Sequence, residues 1–295
     1  MIHNRKVVVW TPYGRRSTYS ILIKYLERDV NRGIVDEVWL YMNTDPSGQE
    51  DDIAYAHELD EEFPWVKLVY RPEGIPRHPG PKQRNTGYAY RYMTEPGTVY
   101  LRMDDDLVYV HEDAVANLVE KRAEMSHATA IFATTWNNAI VSWFMQQAGV
   151  IPKEWGECTF FCMDPTGWAN GQFAVKIHEL LLEKIESRRV EDLYLYQDFP
   201  IPPGTQFSVS SFASTGELYA SLPDGPGVLV PDEEEHWHTV HRPQVIGQPN
   251  ILIGNAIVSR RCSSPQIQVT ARSMPIPNPA WGTLPNFRRS MYQRN

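Results

Sequence analysis

Cysteine is scarce in this chain of 295 residues: Cys158, Cys162 and Cys262 are all there is. An odd count at that density excludes a disulfide framework and suits a reducing compartment. Cys158 and Cys162 could be half a metal site, but no second pair completes it, and buried thiols are the simpler reading. No apolar run is long enough to span a membrane, and the N-terminus carries no signal-peptide pattern, so the expected location is the cytoplasm. Positive charge is not in excess either. The net charge is -8, which argues against nucleic acid as a partner. Internal repeats and a clear interdomain linker are missing as well. Finally, the segment Thr11–Arg16 holds only Gly14, so there is no Gly-rich phosphate loop after the first apolar run.

What is present is ordinary in bulk, with 42% hydrophobic and 22% charged residues, enough to bury one large core or two smaller ones. The informative stretch is Val99–Val110. Val99-Tyr100-Leu101-Arg102-Met103 reads as a buried strand, and it ends in Asp104-Asp105-Asp106 before apolar residues resume. Three adjacent acids repel one another and are costly to bury. Solvent exposure would relieve the repulsion, and so would a bound cation. Hard oxygen ligands suit Mg²⁺ or Mn²⁺, whose coordination is usually finished by substrate phosphates.

Upstream, strands and helices alternate. Lys6–Trp10 predicts a first strand, and Thr11–Arg16 a turn. A helix capped by Ser17 follows, with Ile21, Leu22, Tyr25 and Leu26 inward, ended by Gly33. Val38–Met42 predicts a strand, Glu50–Phe63 a helix, Val66–Tyr70 a strand, Pro72–Pro81 a loop and Lys82–Met93 a helix. That alternation is the pattern of an α/β protein with a Rossmann-like, mostly parallel central sheet flanked by helices. Ligands sit outside the carboxyl ends of such strands. These ends bring together Thr11–Arg16, Asn43–Asp45, Arg71 and Asp104–Asp106, while Lys82, Arg84 and Asn85 open a helix nearby. Positive side chains, a helix N-terminus and a metal-binding triplet suit a diphosphate.

On these residues the sequence resembles the GT-A-fold, nucleotide-sugar-dependent glycosyltransferases related to the large family 2. The matching pieces are Val7-Val8-Val9-Trp10-Thr11-Pro12, Asn43-Thr44-Asp45, Lys82-Gln83-Arg84-Asn85 and Leu101-Arg102-Met103-Asp104-Asp105-Asp106. The resemblance implies that Thr11, Pro12 and Tyr13 border the base, with Asp45 nearby. It implies that Lys82, Arg84 or Asn85 faces the base, ribose or diphosphate. Asp104 would touch the ribose, Asp106 would bind the metal, and Asp105 would support them. Arg15 and Arg71 complete the expected donor site.

Beyond the triplet, His111–Met125 predicts a helix and Ala130–Thr134 a strand. Trp136–Trp168 reads as aromatic-rich and irregular, and one or two of its aromatics are expected at an acceptor site. Ala169–Arg188 predicts an amphipathic helix with Phe173, Ile177, Leu180, Leu181 and Ile185 inward, and with His178 as a satisfied core histidine. Phe207–Phe212 reads as a strand, Pro223–Gly227 as a turn, and Ile251–Asn255 as the start of a strand.

A second cluster follows: Asp232-Glu233-Glu234-Glu235-His236-Trp237-His238-Thr239-Val240-His241. One account is an exposed acidic helix start capped by Asp232. The resemblance offers another. Inverting members carry a downstream acidic motif that deprotonates the acceptor, here Asp232, Glu233 or Glu234, and often a histidine as a further metal ligand, here His236, His238 or His241, with His238 and His241 preferred. Asp192, beside Glu191, is the rival base. The chain divides into a nucleotide-sugar half, residues 1–125, an acceptor and catalytic half, residues 126–267, and a Pro-rich basic tail, residues 268–295. The expected activity is Mn²⁺- or Mg²⁺-dependent transfer of a sugar from a nucleoside diphosphate donor, UDP-linked by preference, to a glycan or other hydroxyl acceptor, with inversion. A nucleotidyltransferase acting on a sugar phosphate and a non-catalytic nucleotide-sugar-binding protein are the alternatives.

Overall fold

The architecture follows from β1 and its neighbours. The computed structural model describes residues 5–45, 47–74, 82–221 and 234–261, without the side chains of residues 82–84. Strands β1 (Lys6–Tyr13), β2 (Glu37–Met42), β3 (Val66–Val69) and β4 (Thr98–Met103) pair in parallel in the order β3-β2-β1-β4. The sheet continues through β8 (Ser211–Thr215), β6 (Ile131–Trp136), β9 (Asn250–Arg260) and β5 (Leu107–Val110), with β7 (Asp198–Ile201) also on β9. β8 is antiparallel to both β4 and β6, and β6 runs parallel to β9. The sheet is therefore mixed, with its parallel part under the triplet.

Side chains alternate across β1, so Val7 and Val9 enter one core layer while Val8 and Trp10 enter the other. The first layer lies against α1 (Arg16–Asn31), α2 (Glu50–Glu62) and α3 (Ala114–Glu124), through Leu22, Leu26, Leu59, Val115 and Leu118. The second lies against the 3-10 helix Lys82–Tyr92, α4 (Ala139–Gln147) and α5 (Gly171–Glu186), through Tyr90, Ile140, Met145, Phe173, Ile177 and Leu181. After β8 come α6 (Gly216–Ala220), α7 (Glu234–His236), a π turn at Trp237–His241 and α8 (Arg242–Ile246). Among the described residues no helix is long and apolar enough to cross a membrane.

Five elements depart from the sequence reading. Thr11-Pro12-Tyr13 continues β1 rather than turning; β4 pairs with β1 only as far as Trp10, opposite Arg102, so Pro12 lies where β1 has β2 alone as a partner. Ser17 does not cap α1. It is exposed, and Asp52 Oδ1 of α2 instead accepts from the Arg16 N–H at 2.7 Å. The region read as irregular contains α4, capped by Asn138, whose Oδ1 accepts from the Val141 N–H at 3.1 Å. β8 starts at Ser211 rather than Phe207. Within α5, Leu180 and Ile185 are only half-buried, and His178 lies fully buried in their place, with Nδ1 2.6 Å from the Ala174 carbonyl. The predicted turn at Pro223–Gly227 and the C-terminal tail lie outside the described residues.

Candidate active site

Because β1 and β4 are parallel neighbours, their carboxyl ends deliver Gly14 and Arg15 beside Asp104–Asp106. The triplet's backbone is pinned by the residues that flank β8 and β9. The Asp104 N–H donates to the Ser210 carbonyl at 2.9 Å, and the Asp106 carbonyl accepts from the Arg261 N–H at 2.9 Å. The three carboxylates have separate surroundings. Asp105 is the buried one, accepting from the Gly14 N–H and from Arg15 Nε, both at 2.9 Å, and from Arg15 Nη2. Asp106 Oδ2 stands 3.3 Å from Arg15 Nη1, while its Oδ1 is buried with no hydrogen-bond partner. Asp104 Oδ1 lies 2.7 Å from Arg102 Nη1. Burial raises the Asp104 pKa above the usual carboxylate range, and the neighbouring acids add to this against the pull of Arg102.

Arg102 is the residue that sequence reasoning missed. It is buried inside β4, with its guanidinium 5.7 Å over the Trp10 ring. Its Nε and Nη2 reach the two oxygens of Glu234 at 2.6 and 3.1 Å, and Nη1 also donates to the Val209 carbonyl. Tyr90 OH donates to Glu234 as well. The available signal was an arginine within an apolar strand, because a buried guanidinium requires carboxylates around it.

This geometry corrects two expectations. Glu234 cannot act as a free base, because its carboxylate is buried and held in a bidentate pair. His238 is fully buried, with Nδ1 2.7 Å from the Glu234 carbonyl and Nε2 3.0 Å from Tyr219 OH, so neither nitrogen is open to a metal. Burial lowers its pKa to about 3, which keeps it neutral. His241 is exposed on the π turn. Asp232 and Glu233 lie outside the described residues. Asp192 is exposed, paired with Lys184 at 3.1 Å and with Arg189 at 2.5 Å. Its neighbour Glu191 stands 3.6 Å from His111, which follows the end of β5. The strand leaving the triplet thus carries the chain roughly 15 Å before it meets Glu191, at about 3.3 Å per residue.

On the donor side, Thr11 and Tyr13 are core side chains rather than an open rim; both are fully buried, and Tyr13 OH donates to the Asp52 carbonyl at 2.7 Å. Pro12 is half-buried. Asp45 is half-buried beyond β2, where its Oδ1 accepts from the Ser47 N–H and hydroxyl at 3.1 and 2.9 Å. Arg71 is half-buried just past β3. Asn85 is buried, and its carbonyl accepts from Tyr41 OH at 2.9 Å. The side chains of Lys82 and Arg84 lie outside the described residues. A cleft of about 650 Å³ opens between the starts of α1 and α2, lined by Arg15, Arg16, Ser17, Gln49 and Asp52 among others.

The charges fit a divalent cation. Asp104, Asp105, Asp106 and Glu234 face two guanidiniums, Arg15 and Arg102, which leaves two negative charges and an orphaned Asp106 oxygen. Among the described residues, no group of three or more His, Cys, Asp or Glu side chains is placed to hold a metal ion.

No family model and no curated protein matches the sequence. Solved structures do match. A mannosyltransferase, PcManGT, from Pyrobaculum calidifontis in complex with GDP-Man and Mn²⁺ superposes with a TM-score of 0.52 at 14% identity, over 99% of this chain and 70% of the other. Glucosyl-3-phosphoglycerate synthase from Mycobacterium tuberculosis, in complex with Mn²⁺, UDP-glucose and phosphoglyceric acid, does so with a TM-score of 0.50 at 16% identity, over 91% of this chain and 76% of the other. At such identities the likeness speaks for architecture, and the architecture is the GT-A fold of the nucleotide-sugar glycosyltransferases.

Proposed function

We propose that the chain is a metal-dependent glycosyltransferase that moves a sugar from a nucleoside diphosphate donor, UDP-linked by preference, to an acceptor hydroxyl with inversion. The observation that carries this reading is the residual charge of the triplet, together with the unpartnered, buried Asp106 Oδ1. Asp104 and Asp106 would hold Mn²⁺ or Mg²⁺, which when bound neutralises the departing diphosphate. Asp105 keeps the β1–α1 turn in place through Gly14 and Arg15. Arg15, at the start of α1, presents a cation and helix N–H groups on the side where diphosphate oxygens would lie. Asp232 or Glu233 accepts the acceptor proton, since Glu234 is committed to Arg102.

The test is turnover. Purified protein is incubated with UDP- and GDP-sugars, with and without Mn²⁺, and nucleoside diphosphate release is followed. Slow metal-dependent release without acceptor is the expected result. No release and no thermal shift from any nucleotide sugar with Mn²⁺ would refute the reading. Proton NMR of the anomeric centre in the transferred product checks inversion.

A further inference from the structure

Arg102 joins two elements that nothing else described connects so directly. Its α-carbon is fixed in the interior of β4, and its guanidinium rests over Trp10. One end of the fork holds both oxygens of Glu234, and the remaining nitrogen is shared between Asp104 Oδ1 and the Val209 carbonyl. Glu234 opens the helical segment 234–246, and that segment is fixed in turn. The Glu234 carbonyl meets His238 Nδ1 at 2.7 Å, His238 Nε2 meets Tyr219 OH at 3.0 Å, and Asn250 Nδ2 donates to the His238 carbonyl at 2.9 Å. An ion pair at Asp104 and a run of buried hydrogen bonds beyond it therefore lead to Asn250 at the start of β9.

Resting on the reading that Asp104 and Asp106 hold a divalent cation, we infer that Arg102 is a positioning residue. It fixes how Asp104 presents its carboxylate to the ion while docking the segment that begins at Glu234. Glu234 and Asp104 compete for the same guanidinium. Arg102 is the cation nearest to Asp104, at 2.7 Å, and Glu234 holds two of its nitrogens away. Without the Glu234 charge, the guanidinium keeps Asp104 as its only ion-pair partner among the described residues and competes with the metal for it. A side chain that never touches the ion thereby sets its affinity, as outer-shell partners do.

Mn²⁺ binding by electron paramagnetic resonance tests this without reference to turnover, on proteins first shown by circular dichroism to be folded. Glu234→Gln is expected to weaken Mn²⁺ binding on the order of tenfold. Arg102→Lys keeps the charge but loses the two-pronged grip, and it is expected to share that loss. Glu235→Gln is the electrostatic control. It removes the same charge one residue along, from a carboxylate that bonds Gln206 at 2.8 Å rather than Arg102. Its affinity is expected to stay within about twofold of the unaltered protein. Equal weakening in Glu234→Gln and Glu235→Gln would reduce the effect to net charge and overturn the inference. So would unchanged Mn²⁺ affinity in Glu234→Gln and Arg102→Lys with lowered melting temperatures, which is the mark of a purely structural pair. If the unaltered protein binds no Mn²⁺, the metal reading itself falls, and the inference with it.

Discussion

Arg15 lies across Asp105 with its Nε 2.9 Å from Oδ1, while the Gly14 N–H takes the other oxygen at 2.9 Å. One buried carboxylate thus holds the whole β1–α1 turn. Replacing Arg15 by Met strands that charge. Breaking a buried pair costs about 3–5 kcal/mol. Arg15 keeps 40% of its side-chain exposure, so solvent screening brings the expected loss down to about 2–3 kcal/mol. Urea unfolding measures it, and a midpoint equal to that of the unaltered protein would remove Asp105 from its structural role.

Asp106 is expected to behave in the opposite way. Its Oδ1 has no partner and its Oδ2 only the 3.3 Å contact with Arg15. Asp106→Asn relieves repulsion within the triplet, so the melting temperature should hold or rise. Affinity for UDP with Mn²⁺ should fall by more than the roughly 10–100-fold that loss of an outer-shell partner costs. Calorimetric titration gives both the affinity and its metal dependence; undiminished binding would place the ion elsewhere.

The alternating strands and helices up to the triplet were legible because each has a clear hydrophobic period and a clear stop, such as Gly33 after α1. The triplet was legible because three acids ending an apolar run need a physical reason. What sequence could not supply was pairing across the chain. Arg102 and Glu234 are 132 residues apart, and nothing local marks them as partners. The acidic cluster at 232–235 invites a search for a base, yet Glu234 proves to be an anchor. α4 escaped because it is apolar almost all round, although Asn138 ahead of it is an ordinary N-cap.

Stability should decline on mild acidification. Burial pushes His178 down to about 4 and His238 down to about 3. An unfolded histidine takes up its proton near pH 6.5. Between that pH and about 4 the unfolded chain binds more protons than the fold, so stability falls as pH drops, by up to about 1.4 kcal/mol per unit for each histidine. The raised pKa of Asp104 acts in the reverse sense, binding a proton in the fold before the unfolded chain does. Asp29, Asp105 and Glu235 are raised by burial and act with it, Glu37, Asp192 and Glu217 are lowered and act with the histidines, and among the large shifts in this range the two histidines outnumber Asp104. The urea midpoint is therefore expected to be lower at pH 5 than at pH 7.5, with a shallower slope in His238→Gln. A midpoint that rises on acidification would show that the carboxylate wins.

Gly254 admits no side chain. A β-carbon there would stand 1.7 Å from the Leu195 carbonyl oxygen, and the Leu195 N–H donates to the Gly254 carbonyl at 3.0 Å. The contact falls where β9 shifts register against β6. Gly254→Ala should cost at least the upper end of the about 1–3 kcal/mol typical of overpacking. Differential scanning calorimetry would show this as a lowered melting temperature, and an unchanged one would mean the Leu195 segment yields freely.

The base is the remaining question, with Asp192 on one side and Asp232 or Glu233 on the other. Asp192 is exposed and engaged by Lys184 and Arg189, and the hydrogen bond from Lys184 chiefly lowers its pKa, which weakens it as a base. It also belongs to the end of β5 away from the triplet, next to the Glu191–His111 contact. Asp232 and Glu233 directly precede Glu234, whose carboxylate is tied through Arg102 to Asp104. A general base must come within hydrogen-bond reach of the attacking hydroxyl, and we assign that role to one of these two. Asp232→Asn or Glu233→Gln should therefore abolish transfer while leaving UDP binding with Mn²⁺ within about twofold, because the base acts on the acceptor and not on the donor. Positioned proton transfer contributes typically about 10²–10⁴-fold, and the rate should drop by that order in one of the two. Asp192→Asn should keep its rate. Loss of transfer in Asp192→Asn alone, with donor binding intact, would move the base to the far end of β5. Full transfer in all three would mean that the reaction needs no carboxylate base, and a product with retained anomeric configuration would then be the consistent finding.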